Sequence, residues 1–295
     1  MATDVLVSHV LDVDRQRFAE ALSRRAVKVR HALADHPLFT LEALAKLADA
    51  LPLASIERAR AKNLPLVVPG GAPGVEGPPS ETVRGIETNG CWMVLWYIER
   101  VPDYGAVLNA CLDGIDDCIP TREGGMCRRE AFLFLSAPGS VTPVHIDPEH
   151  NFLLQIRGTK EFTAVGFADA GSELRELNRY YDGGHRNLTT MPAGKAETFR
   201  IAPGEGVYNP PFLPHWVQNG HNVSVSLSIT FRTRRSERAE MVHTFNARCR
   251  RLSLRVRPPG HSDGIDRAKE TAIRTWFGLL RTGRALGLRG RGRRG

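Results

Sequence analysis

At 295 residues with 42% hydrophobic content, the chain is long enough to bury a sizeable core, as one large domain or two smaller ones. No run of 18 apolar residues occurs in it, which argues against a membrane-spanning helix. The formal net charge is +8, but residues 281–295 hold six arginines and no acid, leaving 34 basic against 32 acidic residues over 1–280. A body this close to neutral argues against nucleic acid as its main target.

Met1 to Val13 lack a basic stretch followed by an apolar one, so no signal peptide is expected. The five cysteines, Cys91, Cys111, Cys118, Cys127 and Cys249, have neither CxxC nor zinc-ligand spacing and fit free thiols in a reducing cytoplasm. In chain order, Asp14–Arg24 reads as a short helix with Phe18, Ala19 and Leu22 on one side, and Ala26–Leu33 as a strand. Thr40–Leu51 is the cleanest helix: Thr40 is a good N-cap, Glu42 suits the first turn, and Leu41, Leu44, Leu47 and Leu51 recur at helical spacing. Pro69–Pro79 is turn-rich and reads as a linker. Trp92–Ile98 is apolar and aromatic, and Tyr104–Ile115 follows as a helix.

Eight short strand candidates come next: Ala131–Leu135, Val141–Ile146, Asn151–Arg157, Lys160–Val165, Glu197–Ile201, Gly206–Tyr208, Trp216–Gln218 and Val223–Phe231. Strands this short, punctuated by Gly and Pro, predict an antiparallel sandwich or barrel. The last of them alternates Val, Leu, Ile and Phe with Ser and Thr, so one of its faces carries small hydroxyls suited to a cavity wall or to water. Ala239–Arg251 and Asp266–Leu280 read as helices. Arg281–Gly295 reads as a disordered, solvated tail, open to weak contact with phosphates or acidic partners.

The chemistry gathers around His145-Ile146-Asp147 and a second histidine, His215, about 70 residues later. On a strand, side chains at i and i+2 share a face, so His145 and Asp147 point together. Two histidines and one carboxylate leave open positions on a metal, the arrangement used by non-haem Fe(II) to activate O2. A zinc hydrolase would reuse these three residues but would leave Lys160 and Asn151 unexplained. A His-x-Asp pair alone is commonplace; its surroundings give it weight. Thr142-Pro-Val-His-Ile-Asp, then Asn151-Phe-Leu-Leu-Gln-Ile-Arg-Gly-Thr-Lys160, then Pro203-Gly-Glu-Gly-Val-Tyr-Asn-Pro-Pro, with Pro214-His-Trp-Val following, form a specific set over roughly residues 129–232.

This set resembles the JmjC/cupin-like Fe(II)- and 2-oxoglutarate-dependent oxygenases, and in motif spacing it is most similar to the factor-inhibiting asparaginyl hydroxylase branch. The resemblance implies a double-stranded β-helix, a jelly-roll barrel, over residues 89–235. Residues 1–88 then form a mixed, largely helical region packed on it, 236–280 the C-terminal helices and 281–295 the arginine/glycine tail. It implies iron held by His145, Asp147 and His215, with 2-oxoglutarate and O2 as co-substrates. Lys160 would pair with the distal carboxylate of 2-oxoglutarate, with Thr142 and Asn151 as further contacts. The bottom-up reading agrees on Lys160, because a buried dicarboxylate needs a cation; without the motif it would read as a turn lysine in solvent.

Where the family often carries asparagine, fifteen residues past the distal histidine, this chain has Thr230, whose hydroxyl is the corresponding candidate. Tyr97 and Tyr208 are the candidates for a co-substrate tyrosine. His150 and His221 read as pointing away from the metal, and Trp92, Trp96 and Trp216 as packing. Residues 166–196, with Arg175, Arg179, Tyr180, Tyr181 and Arg186, read as an insertion able to cover the pocket mouth. The implied activity is hydroxylation of a C–H bond in a protein or peptide side chain or a small molecule, releasing succinate and CO2. The competing reading is a catalytically silent metal-binding cupin that senses a small acid or acts in regulation. In either case a homodimer through Asp266–Leu280 is a further expectation.

Overall fold

Alternating and continuous apolar runs in the middle of the chain become two facing antiparallel sheets. The computed structural model describes residues 10–60 and 75–285. Residues 69–74 of the expected linker and 286–295 of the expected tail lie outside them. The N-terminal part supplies β1 (Leu11–Asp12), α1 (Arg15–Ala21), β2 (Val27–His31), α2 (Leu41–Ala50), β3 (Ile56–Arg60) and α3 (Pro79–Arg84). Next come β4 (Cys91–Leu95), α4 (Pro102–Asp113), β5 (Met126–Ser136), β6 (Val141–His145), β7 (His150–Arg157) and β8 (Lys160–Val165). The chain continues through α5 (Ala170–Tyr181), β9 (Ala196–Ile201), β10 (Glu205–Asn209), β11 (His215–Asn219) and β12 (Ser224–Thr233), and closes with α6 (Arg234–Arg251) and α7 (Asp263–Ala285).

The large sheet runs β1-β2-β10-β7-β12-β5-β4-β3 and the small one β6-β11-β8-β9. This is the expected jelly-roll strand arrangement, but as two layers rather than a closed barrel: among the described residues no strand pairs across from one sheet to the other. The N-terminal region is less separate than expected, since β1, β2 and β3 extend both edges of the large sheet. Helix α7 also runs to Ala285, a turn beyond the boundary expected for the tail.

Alternation along β12 explains its two faces. Val225, Leu227, Ile229 and Phe231 join the outer core with Phe152 and Leu154 of β7, Phe18 of α1, and Leu44 and Leu47 of α2. On the other face Ser224, Ser226, Ser228 and Thr230 look between the sheets, all 3% exposed or less. β7 is covered on both sides, which is why it reads as an almost unbroken apolar run. The inner core joins Leu153 and Val207 of the large sheet to Phe162, Phe199, Ile201 and Val217 of the small one.

Ile156–Lys160, with Gly158 between two apolar runs, has the composition of a hairpin turn, yet β7 pairs with β10 and β12 while β8 pairs with β11 and β9. The turn is a corner that carries the chain from the large sheet to the small one. Gly158 makes it possible: its φ is +74°, and a Cβ there would stand 2.4 Å from the Val223 carbonyl oxygen. Lys160 is delivered into the space between the sheets by this corner.

Candidate metal and diacid site

His145 ends β6 and His215 opens β11, and the antiparallel pairing sets their Cα positions directly opposite each other. Residues distant in sequence therefore meet by register, with ring centroids 4.1 Å apart. Asp147 lies two residues past the end of β6, in a turn rather than on the strand. Its Oδ2 is 3.4 Å from His145 Nε2 and 3.5 Å from His215 Nε2. All three ligand atoms lie within 4.8 Å of one another, and Ile146 points away into a separate apolar cluster with Val144 and Leu188.

The groups behind these atoms suit them to a divalent metal. His145 Nδ1 lies 2.7 Å from the Pro143 carbonyl and His215 Nδ1 3.0 Å from that of Leu213, so each Nδ1–H donates backwards and each Nε2 keeps its lone pair for the cluster. Burial, with His215 alongside, holds the His145 imidazole below its ordinary value and hence neutral. Burial pushes Asp147 upward, but His145, the His215 contact and Arg186 outweigh it and hold the carboxyl well below the usual range. Arg186 Nη1 donates to Asp147 Oδ1 at 3.2 Å, leaving Oδ2 toward the histidines. Two imidazoles with an ionised carboxylate are the donor set that Fe(II) and similar ions take, so the residues present fit the group.

The cluster forms part of the wall of a cavity of about 220 Å³ that is also lined by Thr142, Asn151, Lys160, Ser228 and Thr230. The structure thus brings together all seven residues proposed from sequence. Lys160 is 5% exposed, and burial alone pulls its ammonium down to about 7. Asn151 faces Thr230 across the β7–β12 pair. Thr230 Oγ1 makes only a long 3.4 Å contact to the Glu130 carbonyl, so its hydroxyl remains available to the cavity.

Other expectations divide. Tyr97 lines the cavity, held at a left-handed φ of +60°, whereas Tyr208 does not. Tyr208 is fully buried in the outer core, where its hydroxyl accepts from Ser23 N–H at 3.1 Å and pairs with His150 Nδ1 at 2.8 Å. His150 opens β7 and, as expected, points away from the cluster; burial pulls its imidazole down to about 3. Trp96, expected to be packing, lines the cavity with its ring 4.9 Å from that of Phe132. From the expected insertion, Tyr180 and Arg186 reach the cavity, while Tyr181 stacks on His243 of α6 instead.

Sequence reasoning missed Ser228, whose Oγ donates to Asn151 Oδ1 at 2.8 Å, although the hydroxyl alternation was its signal. Phe162, stacked 5.0 Å from the His215 ring, and Glu130 and Glu149 in the cavity wall were also missed. Burial first, then Asp147, pushes the Glu149 carboxyl up to about 7. No local pattern marks Phe162, Glu130 or Glu149, because tertiary register alone brings them to the site.

Two facing antiparallel sheets hold a His–Asp–His cluster and a buried lysine between them, in a cupin-like jelly-roll fold. The chain is similar to two curated relatives named for the JmjC domain. JmjC domain-containing protein D of Dictyostelium discoideum is 28% identical over 139 residues, covering 44% of this chain and 29% of the relative. Jumonji C domain-containing protein 5 of Drosophila melanogaster is 26% identical over 140 residues, 44% of this chain and 31% of the relative. The matches therefore span about three tenths of those relatives. No protein-family model matches the chain. Among solved structures, Escherichia coli YcfD aligns over 90% of this chain and 68% of its own, with a TM-score of 0.53 at 15% identity. A second YcfD structure, described as a ribosomal oxygenase with cobalt and 2-oxoglutarate, gives 0.53 at 14% identity over 90% of this chain and 67% of its own. These likenesses establish the fold. None of these relatives is named for the factor-inhibiting branch, which rests on motif spacing alone.

Proposed function

We propose that the chain is an Fe(II)- and 2-oxoglutarate-dependent oxygenase that hydroxylates a C–H bond of a protein or peptide side chain or a small molecule. The observation that carries this reading is one cavity holding both a two-histidine, one-carboxylate cluster and a buried lysine. His145, Asp147 and His215 would hold the metal. When bound, iron supplies the oxidising chemistry that couples O2 to decarboxylation of 2-oxoglutarate, giving succinate and CO2. Lys160 would take the distal carboxylate in a charge-assisted pair, with Thr142, Asn151 and Thr230 as hydrogen-bonding neighbours. Arg186 holds Asp147 in one orientation, and the apolar walls of Phe134, Leu153, Phe162 and Val217 keep water from the reacting centre. The complexes of YcfD with cobalt and 2-oxoglutarate and with cobalt and succinic acid support the same co-substrate and product.

The silent small-acid sensor would use the same residues without turnover. Aerobic incubation with Fe(II) and 2-oxoglutarate separates the two: the oxygenase releases succinate, and His145→Ala, Asp147→Ala or His215→Ala each abolishes the release. Full activity in any one of these at limiting iron would remove that residue from the ligand set. Cytoplasmic location and a homodimer belong to the same proposal. All five cysteines are free, and α7 exposes Trp276, Leu279 and Leu280. Sedimentation of the unmodified chain against a Leu279→Glu variant checks the dimer: the variant should sediment as a monomer.

A further inference from the structure

We infer that Arg232, braced by Glu240 of α6, is a positioning residue for the turn that carries Asp147; this rests on reading that cluster as a metal site. Asp147 is the one member of the cluster outside a strand, so no ladder of sheet hydrogen bonds fixes it. The main chain gives its turn two anchors: Ile146 N–H donates to the Arg186 carbonyl at 3.1 Å, and Phe212 N–H donates to the Asp147 carbonyl at 2.7 Å. The next two residues, Pro148 and Glu149, are held by Arg232. Its Nη2 donates to Glu149 Oε1 at 2.8 Å and its Nη1 to the Pro148 carbonyl at 3.3 Å. Nη1 also stands 2.9 Å from Glu240 Oε2, as an ion pair.

Arg232 is only 8% exposed and sits where the β12–β5 register shifts, between Thr230 and Arg232. The brace is itself anchored. Arg128 lies between Glu240, at 3.8 Å, and Glu237, at 3.0 Å, and Glu237 is paired with Arg274 of α7 at 3.0 Å. A planar guanidinium can meet two carboxylates and a carbonyl at fixed angles, which an ammonium cannot. The two C-terminal helices thereby acquire a role at the site although neither supplies a ligand. Through Arg232 they hold the position of Asp147, and supporting contacts of this kind set metal affinity.

Arg232→Lys and Glu240→Gln test this with two readouts. One is hydrogen exchange of the amides of Ile146, Asp147, Glu149 and His150 in metal-free protein; the other is Co(II) affinity read from the visible absorption of the bound ion. Both variants should keep the circular dichroism of the unmodified chain. Exchange at 146–150 should quicken while that of 152–156 in β7 does not, and Co(II) affinity should fall on the order of tenfold or more. If Arg232→Lys fails to fold, Glu240→Gln, which leaves the Glu149 pair intact, carries the test. Unchanged exchange in a folded variant overturns the proposal, as does unchanged Co(II) affinity once the turn has loosened. Failure of the unmodified chain to bind Co(II) would contradict the metal-site reading instead, and the exchange measurement would still decide the clamp.

Discussion

Lys160 is where binding and stability pull hardest against each other. Burial lowers its pKa to about 7, below the ordinary 10.5, so the unfolded chain binds more protons than the fold between those values. Stability of the ligand-free fold therefore rises with pH across that window, and the full penalty of a buried ammonium is present below about pH 7. Lys160→Met should thus be more stable than the unmodified chain near pH 6, by up to about 5 kcal/mol, while losing 2-oxoglutarate affinity far more than iron affinity. A variant that is destabilised, or that loses both affinities equally, would place the lysine outside the diacid site. A bound diacid should restore the ammonium, so binding above pH 7 takes up a proton and weakens as pH rises, by up to about tenfold per unit. Calorimetry in two buffers of different ionisation enthalpy reads that proton directly. All seven candidate residues were legible because motif spacing marked each of them. Trp96 and Glu149 were not, since their place in the cavity depends on packing and on a loop with no periodicity.

Among the elements, β12 and β7 form the shared wall of core and cavity. Gln155 receives the Ser226 hydroxyl on Oε1 at 2.7 Å and donates to Ser224 Oγ at 3.0 Å, away from the cavity lining. Ser226→Val should cost about 1–3 kcal/mol by leaving a buried amide oxygen unpaired, with little change in the 2-oxoglutarate requirement. Ser228→Ala should do the reverse: a small loss of stability, but a higher 2-oxoglutarate requirement, because Asn151 loses the hydroxyl that orients it. Chemical denaturation and co-substrate titration of the two variants distinguish these roles. Strand positions were readable from alternation, but pairing partners were not. The 156–160 segment has the composition of a hairpin, and only the approach of Gly158 to the Val223 carbonyl makes it a corner. Asp147 likewise reads as a strand residue and proves to lie in a turn, yet it still meets both histidines.

For the whole molecule, the expected division into barrel, N-terminal region and C-terminal helices is softened by strands and ion pairs that cross it. β1 to β3 widen the large sheet, and α6 and α7 reach the metal turn through Glu240 and Arg232. The charge asymmetry was plain in the sequence, because it is a matter of counting. A truncation after Ala285 removes four of the chain's arginines and no part of the described site, so decarboxylation of 2-oxoglutarate should persist. The proposed function requires one property above the others: a single cavity that would hold iron and 2-oxoglutarate together. The direct measurement is aerobic conversion of labelled 2-oxoglutarate to succinate by purified chain, with and without Fe(II), in the unmodified, His215→Ala and Lys160→Met forms. Iron-dependent succinate from the unmodified chain, lost in His215→Ala and recovered in Lys160→Met only at far higher 2-oxoglutarate, is the predicted result. Succinate formed equally by all three, or by none under conditions where iron and 2-oxoglutarate are both bound, would contradict it.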